Sequence, residues 1–404
     1  MKVLTVVGAR PNFMKAAPVI AAIERRNKLN PAAARIEHLL LHTGQHYDAR
    51  MSDSFFNDLG MPNPDIQLGV GSGSHAVQTA EIIAKFETVL LKERPDAVIV
   101  VGDVNSTVAC ALVTSKISFD AKSTRPLLAH VESGLRSFDR NMPEEVNRVL
   151  TDHMADLLFV TEESGLRNLA NEGIAASKIH FVGNTMIDSL LAFEPRADAS
   201  TILDTIGLRG RQYALLTMHR ASNVDDRETF LQILDGLKEL TDKLPVVFPV
   251  HPRTRQRIAD FGLQFATNGA GADASVGNGI ILTDPLGYID FVHTMKNAAI
   301  VVTDSGGIQE ETTCLGVPCV TIRENTERPV TIEMGTNVLA GTSTEGICDA
   351  IHAQLARPAG KVMPPHWDGQ AAGRIVEVLV AAHQAKVNLL ESLQDSAARE
   401  LAHS

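Results

Sequence analysis

At 404 residues the chain has room for two to three domains of about 150 residues each, and a 44% hydrophobic content is ample for cores of that size. A net charge of −11, from 37 Lys and Arg against 48 Asp and Glu, argues against general binding to nucleic acid or anionic membranes, so an anionic ligand has to be held locally. No stretch approaches about 18 uninterrupted apolar residues, which leaves no basis for a spanning helix. The first residues, Met1 to Gly8, form a short apolar run that leads into Arg10 and Lys15 with no small-residue cleavage site, the pattern of a first buried strand in a cytoplasmic chain. Cys110, Cys314, Cys319 and Cys348 include no C-x-x-C pair and no Cys/His cluster along the sequence, so they read as core thiols.

Continuous apolar runs alternate with stretches of helical period, as in parallel strands buried on both faces and joined by crossover helices. In the first half the strands fall near 3–8, 37–42, 96–102, 126–131, 157–161 and 179–183, with helices such as 74–93, 106–117 and 143–154 between them. The alternation restarts at 213–217 and continues at 246–250, 279–283, 298–303 and 318–322. The least structured text between the halves, 194–200, is read as the linker, placed there or just before it. This gives an N-terminal Rossmann-like domain over 1–190, a second, nucleotide-binding one over 191–365, and C-terminal helices over 366–404 packing back across the domains. The predicted class is α/β, two Rossmann-like domains with parallel sheets facing a central cleft, since such sheets bind ligands beyond the carboxyl ends of their strands.

The polar residues at those strand ends carry the chemistry. Gly8 to Lys15 supplies a glycine turn, an early-helix proline and two cations, Arg10 and Lys15, readable either as an anion cradle or as a turn with solvated cations. Asp103, after the strand at 96–102, either points into the cleft or caps the next helix. Glu132 ends the strand after that, and Glu144 and Glu145 open a helix, where acids also simply favour the macrodipole. That plain reading is preferred for Glu145 and left level with a site role for Glu144. Crowded carboxylates raise one another's pKa, which can prepare one as an acid and leave another as a base. In the second half His219 and Arg220 close a strand, and His251 closes another and reads as structural. Asp304 to Glu311 runs from a buried strand through Ser305, Gly306 and Gly307 into a helix, leaving amides for a phosphate and Glu311 for ribose hydroxyls. Arg323 and Arg328 add cations. There is no P-loop, no intact G-x-G-x-x-G at the first strand and no H-E-x-x-H or D-x-D, so a nicotinamide or a metal is disfavoured.

Taken in order, Gly8 to Pro18, Thr43 to His46, Gly73 to Ala76 with Gln78-Thr79, Gly102-Asp103, His130 to Arg136, Pro143 to Arg148, Gly183-Asn184, His219-Arg220, Ser305 to Glu311, Thr326 to Pro329 and Gly335 to Asn337 resemble the non-hydrolysing UDP-N-acetylglucosamine 2-epimerases over essentially the whole length. The resemblance implies a fold like the GT-B glycosyltransferases, a homodimer, and interconversion of UDP-GlcNAc with UDP-ManNAc, with no metal or redox cofactor. It also implies that Asp103, Glu132, Glu144 and His219 are catalytic. Arg10, Ser305, Gly306, Gly307, Glu311 and Arg328 would contact UDP, with Lys15 and Phe291 as weaker candidates. One departure follows His219-Arg220, where the family's charged text is replaced by Ala221-Ser222 and only Asn223 is kept. The readings weighed against this one are a 2-epimerase of a modified UDP-sugar such as a diacetamido uronic acid, a hydrolysing 2-epimerase, a GT-B glycosyltransferase and a nucleotide-sugar sensor without turnover.

Overall fold

A computed structural model describes residues 1–30, 34–44, 60–120, 124–267, 278–357 and 360–402, with the side chains of Arg10, 266–267 and 393–402 left aside. The described residues divide into two units, Met1–Ser189 with Asp368–Ser404, and Leu190–Trp367.

In the first unit seven parallel strands, β1 (Lys2–Val7), β2 (Glu37–His42), β3 (Ile66–Gln67), β4 (Ala97–Val101), β5 (Leu127–Ser133), β6 (Leu157–Val160) and β7 (Ile179–Phe181), stand in the order β3-β2-β1-β4-β5-β6-β7. Its helices are α1 (Arg10–Leu29), α2 (His75–Glu93), α3 (Asn105–Lys116), α4 (Pro143–Met154), α5 (Glu163–Asn171) and the start of α6 (Thr185–Asp198). The second unit has β8 (Ala214–Thr217), β9 (Pro245–Pro249), β10 (Ala266–Thr267), β11 (Gly279–Thr283), β12 (Ile300–Thr303), β13 (Cys319–Thr321) and β14 (Asn337–Leu339), all parallel, in the order β10-β11-β9-β8-β12-β13-β14. Around this sheet lie α7 (Arg227–Gly236), α8 (Lys238–Lys243), α9 (Pro252–Asp260), α10 (Tyr288–Lys296), α11 (Gly306–Leu315) and α12 (Thr344–Ala356), and α13 (Ala371–Ala402) ends the chain.

The continuous apolar runs have a direct cause. Ala214, Leu216, Val246, Phe248, Ile300 and Val302 enter one buried cluster, while Tyr213, Leu215, Val247 and Val301 enter another. Alternate residues of a strand point to opposite faces, so a sheet buried on both leaves no polar half. The strands missed by the sequence reading are β3, β10 and β14, each only two or three residues long. Three cysteines are buried and their thiols are pushed up by that burial, but Cys348 is only half-buried and so departs from the expected core thiol.

The division falls just before 194–200, as the linker reading allowed, but that stretch is not unstructured. Residues 194–198 are the end of α6, and the division between units falls earlier in that helix, at Ser189/Leu190. Pro195 removes one helical N–H, yet Glu194 and Asp198, four residues apart, lie 2.9 and 2.7 Å from Lys296 Nζ, and Phe193 meets Tyr288 edge to face. Those contacts hold the segment helical. The C-terminal text forms one helix, α13, which belongs to the first unit and packs on α1.

Asp188 caps α13: its carboxylate accepts the amides of Ala371 and Ala372 at 3.2 and 2.8 Å. Burial pushes its pKa up from 3.8 to about 6, although the two amides pull it down. A carboxyl group that holds its proton more tightly when folded loses stability as pH rises from the unfolded value towards the folded one, then no further. We therefore expect the stability difference between the wild type and Asp188→Asn to fall by about 3 kcal/mol between about pH 4 and about pH 6, measured by denaturant unfolding. A difference that stays flat across that window would contradict this.

Candidate functional site

In the first unit the strand order reverses between β1 and β4, the place where parallel sheets open a crevice. A side chain at Gly8 would force its neighbours aside: a Cβ would fall 2.2 Å from Ser106 Oγ. The Gly8 and Ala9 amides both donate to Asn12 Oδ1 at 3.1 Å, and Asn12 Nδ2 donates to Val101 O. Of the two readings of this turn, those amides fit the structural one. Lys15, however, is not solvated. It is buried, with Nζ 2.6 Å from Glu132 Oε1. The side chain of Arg10 lies outside the described residues, as do Gln45 and His46.

Glu132 itself sits at a register shift of β5 against β6, with Val131 opposite Phe159 and Ser133 opposite Val160. Its φ of 71° is in the left-handed region, a conformation that costs a non-glycine residue on the order of 1–3 kcal/mol and persists only where its surroundings impose it. The surroundings are identifiable. Buried His130 sits between two acceptors, Asp152 Oδ1 at 2.7 Å from Nδ1 and the Gly102 carbonyl at 2.8 Å from Nε2. Asp152 also accepts the Gly134 amide and lies 2.7 Å from Arg136, which grips Glu172 with two bonds of 2.7 Å. Burial alone would raise the Asp152 pKa, but His130 and Arg136 outweigh it and hold it below the ordinary value.

Asp103 leaves β4 beside Glu132, since Val101 pairs with Val131. Its Oδ2 is 2.5 Å from Arg148 Nη2, and Arg148 Nη1 is bonded to Glu145. The two acids opening α4 separate sharply. Glu145 is buried and accepts the Ser137 amide and hydroxyl and the Phe138 amide, holding the loop before the helix, so it does more than favour the dipole. Glu144 is exposed.

In the second unit β8 and β12 flank the corresponding reversal, and Asp304 joins them. Fully buried, it accepts the amides of His219 and Arg220 and the side chain of Asn223, and lies 2.8 Å from His219 Nδ1. Burial pushes Asp304 up, and the bond and charge of His219 with these amides more than reverse it. Fixing Nδ1 on a carboxylate leaves Nε2 as the working nitrogen of a ring that is 58% exposed. Asn223, the one family residue kept after His219-Arg220, thus serves Asp304, to which sequence reasoning gave no role.

Ser305, Gly306 and Gly307 form the start of α11, with no side-chain cap on its amides. Arg328 lies over that end: a Cβ on Gly306 would come within 2.5 Å of its Nη1, and its Nε is 2.9 Å from buried Glu310. A guanidinium at a helix N-terminus is suited to an anion. Arg323 pairs with buried Glu327 through both terminal nitrogens. Glu311 is buried and accepts the hydroxyl of Tyr288 at 2.9 Å, a partner that no local pattern reveals. Burial, then the charge of Glu311, pushes the Tyr288 pKa far up. Phe291 packs in part on the cluster containing Tyr213 and Leu215. His251 Nδ1 accepts the Arg253 amide as the N-cap of α9, in keeping with a structural role.

A family model described as UDP-N-acetylglucosamine 2-epimerase matches residues 28–380. The UDP-N-acetylglucosamine 2-epimerase of Methanocaldococcus jannaschii is 41% identical over 387 residues, covering 94% of this chain and 99% of that one. A Pseudomonas aeruginosa relative named UDP-2,3-diacetamido-2,3-dideoxy-D-glucuronate 2-epimerase is 39% identical over 383 residues, with the same coverage. The crystal structure of the M. jannaschii enzyme in complex with UDP-GlcNAc and UDP matches with a TM-score of 0.81 at 40% identity, over 94% of this chain and all of that one, which bears out the GT-B-like α/β class. Matched along most of its length by that model and by full-length relatives, the chain belongs to the UDP-N-acetylglucosamine 2-epimerase family.

Proposed function

We propose that the protein interconverts UDP-GlcNAc and UDP-ManNAc by elimination and re-addition. The sugar C2 is not adjacent to a carbonyl, so simple deprotonation gives no stabilised carbanion. Instead the C2–H and C1–O bonds break, the C1=C2 bond of 2-acetamidoglucal forms and UDP departs. UDP then returns to C1 while a proton adds to the opposite face of C2. The chemistry requires a base, an acid and a clamp on the diphosphate. Asp103, Glu132 and Glu144 supply the proton transfers, with Lys15 holding Glu132 in position. His219, oriented by Asp304, works on the reacting groups. Arg10, Arg328 and the amides at Ser305, Gly306 and Gly307 neutralise the leaving diphosphate, Glu311 takes the ribose hydroxyls and Phe291 contacts the nucleotide. The protein acts as a homodimer in the cytoplasm.

The observation that carries this reading is Glu132, a buried acid kept in a left-handed backbone conformation 2.6 Å from a buried lysine. A sensor that only binds a nucleotide sugar gains nothing from that cost. A second reading, a diacetamido uronic acid substrate, is favoured by the 39% identity to the P. aeruginosa relative of that name. Turnover of both UDP-sugars side by side decides between them, and free ManNAc with UDP as products would instead identify a hydrolysing enzyme.

Turnover of UDP-GlcNAc in deuterium oxide is expected to place deuterium at C2 of the UDP-ManNAc formed, read by NMR; product without label would exclude proton loss from C2. Asp103→Asn, Glu132→Gln and Glu144→Gln should each slow turnover by about a hundredfold or more while UDP still binds, and near-normal rates in all three would defeat the assignment. The neighbouring acids should part company: Glu144→Ala leaves the unfolding midpoint unchanged, whereas Glu145→Ala costs about 1 to 3 kcal/mol by leaving the amides of Ser137 and Phe138 without their acceptor and Arg148 with Asp103 as its remaining carboxylate. Asp304→Asn, by removing the group that orients His219, should lower kcat by about a hundredfold or more with the fold intact.

A further inference from the structure

Cys348 is the one cysteine of the four that burial does not account for. It lies on α12 one turn from His352, and a residue and its fourth successor share a helix face. Glu239 of α8 meets that face. The approach is allowed by Gly236, where a Cβ would fall 2.8 Å from Ile347 Cβ and 3.1 Å from the Thr344 carbonyl, so α7 and α12 close to backbone contact just before Glu239. One ligand atom from each of Glu239, Cys348 and His352 lies within 4.8 Å of the others, and His352 Nε2 is 2.9 Å from Glu239 Oε2. Glu239 and His352 are exposed and Cys348 is half-buried, so an ion in solution can reach all three.

We propose that Glu239, Cys348 and His352 form a site for one zinc-class divalent ion, clipping α8 to α12. One thiolate, one imidazole and one carboxylate suit zinc and its neighbours and disfavour magnesium and calcium, which take oxygen ligands. Ligand atoms around tetrahedral zinc stand about 3.3 to 3.8 Å apart, and a fourth position is left to water. The Cys348 thiol is held above its ordinary pKa, by desolvation first and then by the Glu239 carboxylate. On binding, the S–H bond breaks, the sulfur–metal bond forms and the proton goes to buffer, while the cation takes over the carboxylate. Lys243, 3.7 Å from Glu239, is a weak surface competitor.

The test is titration of the full chain with cobalt(II), which gives a thiolate-to-metal charge-transfer band when a cysteine ligates. The band should saturate at one ion per chain and vanish in Cys348→Ser, while His352→Ala and Glu239→Gln each weaken binding by at least about tenfold. Zinc should raise the melting temperature of the wild type and leave Cys348→Ser unmoved, and equal melting of the two in EDTA checks that the variant is folded. Absence of the band in the wild type, its persistence in Cys348→Ser, or unchanged affinity in the other two variants would overturn the proposal.

Discussion

A charge buried at the end of a parallel strand has to be neutralised where it stands, because its own strand offers it no counter-charge. Both units are organised by that requirement. In the second, Asp304 at the end of β12 is met by amides and an imidazole from the end of β8, and those bonds orient His219. In the first, Glu132 at the end of β5 is met by Lys15 from the first turns of α1. What balances the charge also arranges the chemistry. Asp304 fixes the His219 ring and Lys15 the Glu132 carboxylate.

The topology supplies the places where such pairs can form. In each sheet the strand order reverses beside the first strand of the unit, and loops leaving neighbouring strands diverge there. Gly8 lets the first loop run against Ser106, and Gly306 lets Arg328 lie on the start of α11. The two glycines do opposite work. Around Gly8 the amides are already taken by Asn12, whereas around Gly306 they lie under a guanidinium that invites an anion.

Much of this was legible in the sequence, for identifiable reasons. Two-sided burial writes apolar runs, so most strands stand out, while β3 and β10, of two residues each, are too short to write any. The site segments could be read because they follow those strands. Their partners could not: Lys15 and Glu132 are 117 residues apart, Asp103 and Arg148 are 45 apart, and Tyr288 reaches Glu311 across 23. Local rules therefore offered a cleft position or a cap for Asp103 and gave no sign of the arginine 45 residues on that pairs with it. They also left 194–200 as unstructured text, where Lys296 and Tyr288 hold residues 194–198 in a helix. Glu144 and Glu145 share the same helical turn, and only the course of the loop at Ser137 and Phe138 determines which is buried. Cys348 and His352 stand one helical turn apart but do not read as a cluster in the sequence, because the third member comes from another helix.

The central claim is that UDP leaves the sugar and returns within each turnover. Heavy oxygen placed in the bond between C1 and the β-phosphate reports on this directly. If UDP is released within the site, its phosphate oxygens become equivalent and the label spreads into non-bridging positions of recovered UDP-GlcNAc at a rate comparable to epimerisation. Epimerised product that retains the label wholly in the bridge would contradict the account.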